Sequence, residues 1–246
     1  MKLTKTLVAL MLAAALLGCR QQPGPHHIVI LQDVSGSIDR NALELAFKAI
    51  DELVGHLKRG DRIAIIPILG DAQAEVSGRI IRFQVPTNRQ AYDSDLHHFA
   101  VQLRSSLEDL KSSTMKHPAA KTDILGSISL AEQEFQADPS PTKDSLLVLS
   151  DFIYETDEIN FRRDKHLENK AAAEELAEQI AKREGLNLKG VSVYLGLLGS
   201  REYAGLNRGR RVAIQAFWVR YFNALGSKPN FVTDGVGLVK RCLDGW

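Results

Sequence analysis

Short runs of consecutive apolar residues alternate along this chain with longer stretches in which apolar residues recur every three or four positions. The runs are Ile28–Leu31, Ile63–Leu69 and Leu146–Leu149, and Val191–Leu198 reads as a further strand. A strand covered by helices on both faces has no polar side, so such runs predict the buried strands of a parallel sheet. Between the first two, a helix is expected over Asp39–Lys58. Leu43, Ala46, Phe47, Ile50, Leu53, Val54 and Leu57 share one face of it, and Gly60 is the expected stop. A second long helix is predicted over Ser94–Leu110, a short one after Thr122, and further helices over Ala171–Arg183 and Val212–Leu225. Arg79–Val85 alternates like a half-exposed edge strand, and Phe231-Val232 is a last short strand. The expected fold is a doubly wound, mostly parallel α/β sheet with helices on both faces and one antiparallel edge strand. Phe217, Trp218, Tyr221 and Phe222 have helical spacing and are read as core.

Ligands of such sheets bind beyond the carboxyl ends of the strands. Two apolar runs lead directly into an acid. Asp33-Val34-Ser35-Gly36-Ser37 follows the first, and Ser150-Asp151 follows Leu146–Leu149. Lys121-Thr122-Asp123 precedes a helical segment between them. Asp33, Asp151, Ser35, Ser37 and Thr122 are all hard oxygen donors. A hard cation such as Mg²⁺ takes oxygen ligands, few of them carboxylates, and keeps several waters. Each group also has a plainer reading: Ser37 and Thr122 as helix caps, Asp151 as an exposed loop acid.

The order Asp-x-Ser-x-Ser, a separate Thr and a later strand-end Asp resembles the metal-ion-dependent adhesion site of von Willebrand factor type A domains. The resemblance covers about residues 27–235. It implies that Ser35, Ser37 and Thr122 contact a divalent metal, Mg²⁺ or else Mn²⁺ or Ca²⁺. Asp33 and Asp151 would act directly or through water, and an acidic side chain of a protein partner would complete the coordination. The chain departs from the family after Asp151. Many relatives have a Thr-Asp-Gly turn there, where this sequence has Ser150-Asp151-Phe152-Ile153-Tyr154. Those three apolar residues could rim the site or belong to the core. Glu155, Asp157 and Glu158 are read as a solvated loop, with an extension of the binding face as the alternative.

The first residues fall outside this pattern. Lys2 and Lys5 precede an apolar run, Leu7–Leu17, too short for a comfortable membrane span. It ends in Leu16-Leu17-Gly18-Cys19, which resembles the bacterial lipobox. The resemblance implies a signal peptide over residues 1–18, acylation (palmitate among the chains) of Cys19, and a membrane anchor. Two or more acyl chains hold a protein stably. Arg20, in place of the usual inner-membrane retention Asp, implies an outer-membrane lipoprotein facing the periplasm. Residues 19–26 would then be the lipidated Cys and a Pro/Gly-rich tether, and 27–246 a single domain. With Cys19 acylated, Cys242 has no disulfide partner and is read as a small apolar residue.

The net charge is +1, and removing Lys2 and Lys5 leaves −1, so no nucleic-acid partner is expected. The main enzymatic alternative is a haloacid dehalogenase-like phosphohydrolase with Asp33 as nucleophile. Such enzymes need a second acid two residues on, where this chain has Ser35, so a non-catalytic protein is expected. A third possibility keeps the fold as a scaffold with a purely structural metal. His26-His27 and His97-His98 are expected on the solvated surface. Arg208, Arg210 and Arg211 are expected at a solvated helix start, with anionic lipid headgroups as an alternative contact.

Overall fold

The computed structural model describes residues 24–75, 79–87, 92–137, 142–232 and 237. The signal-peptide stretch, Cys19, residues 20–23 of the tether, and Cys242 lie outside the described residues. In chain order the elements are β1 (His26–Asp33), α1 (Arg40–Val54), β2 (Arg62–Ile68), α2 (Ala72–Glu75), β3 (Ile81–Gln84), α3 (Tyr92–Lys116), α4 (Ile124–Gln136) and β4 (Lys143–Ser150). A 3₁₀ turn (Lys165–Glu168) follows, then α5 (Lys170–Glu184), β5 (Ser192–Leu197), α6 (Arg201–Gly205), α7 (Arg208–Ala224) and β6 (Asn230–Val232).

The strands form one sheet in the order β3-β2-β1-β4-β5-β6. Only the β2–β3 pairing is antiparallel. The expected doubly wound sheet with one antiparallel edge is therefore what the chain forms. Alternate residues of the central strands feed two cores. Ile28, Ile30, Ile63, Ile65, Leu147 and Leu149 pack with α1 and α3 on one face. Val29, Leu31, Ala64, Ile66, Leu146 and Val148 pack with α4, α5 and α7 on the other. This two-sided burial is why those strands carry unbroken aliphatic runs.

The aromatic stripe of α7 is core. Phe217, Trp218, Tyr221 and Phe222 are fully buried, and Phe161 stands against Phe217 at a centroid distance of 4.7 Å in an edge-on arrangement.

Three expectations fail. The first helix ends at Val54, not near Lys58, and its C-cap is Gly55. Gly60 instead turns the chain into β2 with φ +80°. Asp61 explains this entry. Its carboxylate accepts the backbone N–H of His26 at 2.8 Å and of Lys58 at 2.7 Å, so the loop belongs to the sheet end rather than to the helix. Second, His26 and His27 are buried members of β1, because the strand begins earlier than its aliphatic run. Burial pushes the His26 imidazole below its ordinary range. His97 and His98 are exposed, as expected. Third, Arg210 is buried, donating to the carbonyls of Phe161 at 2.8 Å and Asp164 at 3.0 Å. It ties α7 to the loop after β4, because two buried carbonyls there need a donor.

Asp61 is 1% exposed and serves two separate segments. Asp61→Ala is expected to destabilise the protein by about 2–4 kcal/mol, since hydrogen bonds to a charged group contribute roughly 1.5–3 kcal/mol each. Urea denaturation followed by circular dichroism measures it, and a loss under 0.5 kcal/mol would contradict this account.

Candidate metal centre

β1 and β4 are parallel neighbours, with Gln32 opposite Leu149. Asp33 and Ser150-Asp151 therefore leave the sheet side by side at its carboxyl edge. Asp33 Oδ1 accepts the Ser35 backbone N–H at 2.9 Å, closing a tight turn, and Oδ2 accepts Ser150 Oγ at 2.6 Å. Ser35 Oγ and Ser37 Oγ are 2.9 Å apart. Ser37 Oγ donates to Asp151 Oδ2 at 3.0 Å, and the Ile153 N–H donates to Asp151 Oδ1 at 2.9 Å. Ser200, which follows β5 and caps α6, also hydrogen-bonds Asp151.

Thr122 reaches the same place from another direction. Its backbone pairs with Glu155 in both senses, Thr122 N to Glu155 O at 3.0 Å and the reverse at 3.1 Å. The following Asp123 fixes this loop. Its N–H donates to Leu69 O at 2.8 Å, and its carboxylate accepts the N–H groups of Gly126 at 2.9 Å and Ala72 at 3.2 Å. A Cβ on Gly126 would stand 2.2 Å from Asp123 Oδ2, so only glycine fits beside this cap. Ser35, Ser37, Thr122, Glu155, Arg162 and Glu202 are among the residues around a cavity of about 300 Å³.

The plainer readings of the site residues do not survive this geometry. The N-cap of α1 is Asp39 and that of α4 is Asp123, leaving the Ser37 and Thr122 hydroxyls to the site. Asp151 is fully buried, as is Asp33. Phe152, Ile153 and Tyr154 are buried in the core, and Ile153 also lines the cavity. Glu155 is only partly exposed and ion-paired, whereas Asp157 and Glu158 are exposed.

Burial raises the Asp33 carboxyl above the ordinary range, and its bonds to Ser150 and Ser35 oppose that. Burial, and then the charge of Asp33, push Asp151 up to about 7. Among the described residues neither acid has an ion-pair partner. Two buried carboxylates with two hydroxyls in contact and a third beside them make an all-oxygen donor set whose charge a divalent cation would balance. The residues present therefore fit the metal that the sequence motif implies. Among the described residues no cluster of three His, Cys, Asp or Glu offers another centre.

No family model and no curated protein matches this chain. Solved structures do. A pilus adhesin, SpaC, from Lactobacillus rhamnosus GG in its open conformation shares 12% identity over 92% of this chain and 30% of its own, with a TM-score of 0.50. A von Willebrand factor type A protein from Catenulispora acidiphila shares 16% over 90% and 42%, with a TM-score of 0.48. With its six-stranded, mostly parallel sheet and flanking helices, this chain has a von Willebrand factor type A-like α/β fold. An aerotolerance-related membrane protein from Bacteroides fragilis shares 15% identity over 89% of this chain and 97% of its own, at a TM-score of 0.48. The chain thus spans nearly all of that protein but less than half of the other two.

Within the von Willebrand factor type A fold, the departure after Asp151 acquires a physical reason. Phe152 has φ +62° and is the only described non-glycine residue with positive φ. It keeps the turn that a glycine would make. Its ring is fully buried against Phe231 and Trp218, at 5.3 and 6.1 Å, and its carbonyl accepts Trp218 Nε1–H at 3.0 Å. Packing thus offsets a left-handed backbone that costs an L-residue about 1–2 kcal/mol.

Sequence reasoning missed Ser150, Ser200, Asp123 and Arg162 as parts of this site, and placed Glu155 there only as the alternative to a solvated loop. The strand-end rule, applied to β5 as well, points to Ser200. The spacing from Asp123 to Gly126 is a helix-cap signal that went unused. Nothing local in the sequence marks Arg162.

Two outcomes are expected here. Asp151 holds a proton in the folded chain up to about pH 7, where the unfolded chain has released it above about pH 4. Metal-free stability should therefore fall as pH rises from about 4 to 7, and cation binding, which displaces the proton, should oppose that fall. The rise in Tm produced by saturating Mg²⁺ should be larger at pH 8 than at pH 5; a pH-independent rise would contradict it. Separately, Phe152→Ala should cost about 3–5 kcal/mol in urea denaturation. Phe152→Gly should be milder by about 1 kcal/mol, the reverse of the order at an ordinary buried site.

Proposed function

We propose that this chain is a lipid-anchored, non-catalytic recognition domain of the bacterial envelope that binds a protein partner through a divalent cation. One observation carries the reading: the side-chain oxygens of Asp33, Ser35 and Ser37 join that of Asp151, from a strand end more than a hundred residues on, in one hydrogen-bonded group, with Thr122 on the same cavity as the two serines. Mg²⁺, or else Mn²⁺ or Ca²⁺, would supply a centre attractive to a carboxylate. Ser35, Ser37 and Thr122 would hold it without adding charge, and Asp33 and Asp151 would neutralise it from the buried side. An open position toward the cavity would receive an acidic side chain of the partner. Ser35 stands where a phosphohydrolase would carry its acid, and a hydroxyl there does not donate a proton near neutral pH.

Among the described residues no helix is long and apolar enough to cross a membrane. Attachment is assigned to acylated Cys19, and Arg20 after it favours the outer membrane, facing the periplasm. The chain enters the sheet at His26, at the end of β1 opposite Asp33. In this reading the metal site faces away from the anchoring segment.

The test is capture from a detergent extract of the source envelope by the full lipidated chain, with Mg²⁺ or with EDTA, beside Asp33→Ala and the milder Ser37→Ala. A protein retained only by the unmodified chain with Mg²⁺, and released by excess acetate, is the expected result. Equal retention in all arms would make any metal purely structural and move the interface elsewhere.

A further inference from the structure

Glu155 lies closer to the candidate metal than its place in an acidic loop suggests. It and Thr122 exchange both backbone hydrogen bonds, at 3.0 and 3.1 Å. Residues paired in this way project their side chains to one side, with Cβ atoms about 5 Å apart. The Glu155 carboxylate thus shares a side with the Thr122 hydroxyl, and both residues line the cavity with Ser35 and Ser37. Two contacts restrain it, and two more hold the groups that make them. Asn160 Nδ2 donates to Oε1 at 2.9 Å, and Arg162 Nη2 donates to Oε2 at 2.6 Å. Arg162 Nη1 is itself held by Glu202 Oε2 at 2.9 Å, and Asn160 Oδ1 accepts the Arg162 backbone N–H at 2.9 Å. The Arg162 Nε is buried with no hydrogen-bond partner, so this clamp is not fully satisfied.

We propose that Glu155 is a further residue of the metal site, a pendant carboxylate able to take the open coordination position, and that Arg162 and Asn160 are positioning residues that hold it clear for a partner's acid. This rests on the metal-binding reading above. A carboxylate attached to the same loop as a metal ligand competes with an incoming one at high effective concentration. An open site consequently requires a restraint on it. The charge-assisted bond from Arg162 is the strongest one present. Loss of Arg162 would leave the Glu155 carboxylate held by Asn160 alone and remove the guanidinium that bridges it to Glu202. With a cation bound, Glu155 would replace one of its waters by a carboxylate oxygen, with no change in oxidation state.

The test uses the full chain with Mn²⁺ as the probe. Water-proton relaxation reports the waters on bound Mn²⁺, and the free-ion paramagnetic resonance signal reports affinity. Arg162→Ala is expected to bind Mn²⁺ more tightly and to lose about a third to a half of the relaxation enhancement, one water of the two or three that such a site keeps. R162A/E155Q should recover the enhancement of the unmodified chain. Asn160→Ala loosens the same carboxylate without removing a charge and should shift both readouts the same way by less, which keeps the proposal refutable even where R162A unfolds. Unchanged relaxation and affinity in R162A and N160A would overturn it, as would a folded double variant with no recovery. No Mn²⁺ uptake by the unmodified chain would overturn the metal reading and this proposal together, whereas uptake without these differences would remove only this one.

Discussion

Two carboxylates of like charge, Asp33 and Asp151, sit fully buried at the ends of adjacent central strands. Left ionised together they would repel in a region that screens poorly. Much of the surrounding structure moderates that repulsion: the Ser35 and Ile153 N–H groups and the hydroxyls of Ser150 and Ser37 all donate to these acids. Their oxygens then remain proton-hungry in the free chain and suited to a cation when one is supplied. The sheet fixes the distance between them, so this tension is built in at the level of the fold rather than in a mobile loop.

The strand edges that create this site were legible because burial on both faces forces unbroken aliphatic runs, and an acid directly after such a run stands out. Helix interiors were equally legible from their periodicity. The ends were not. Gly60 looks like a helix stop, yet its neighbour Asp61 recruits the loop to the sheet end through His26, a contact spanning 35 residues that no local pattern reveals. The two adjacent histidines looked polar enough for the surface, but pairing with β2 and β4 carries β1 back to include them. Arg210 sits among basic neighbours in sequence, and only the fold supplies the carbonyls it satisfies. The same holds for Arg162, whose partners Glu155 and Glu202 come from separate segments.

Phe152 shows how a departure from a motif can preserve its geometry. The position needs a left-handed backbone, which glycine would adopt freely. Here the ring packs against Trp218 and Phe231, and the indole of Trp218 holds the carbonyl of the strained residue. The orientation of Asp151 is thereby linked to the aromatic core under α7. A substitution in that core would reach Asp151 through a single peptide unit.

β1 has a mechanical consequence as well. The chain enters at one end of this strand and presents Asp33 at the other, with parallel partners along both flanks. Tension between the leading segment and anything gripped at the carboxyl edge therefore runs along the strand axis. Its cross-strand hydrogen bonds are loaded in shear, and many must give way together rather than peel in turn. Endurance under such load is set by an unfolding rate rather than by equilibrium stability. Under the proposed function, with a tether at one end of the central strand and a grip at the other, the domain would have the arrangement a force-bearing link requires.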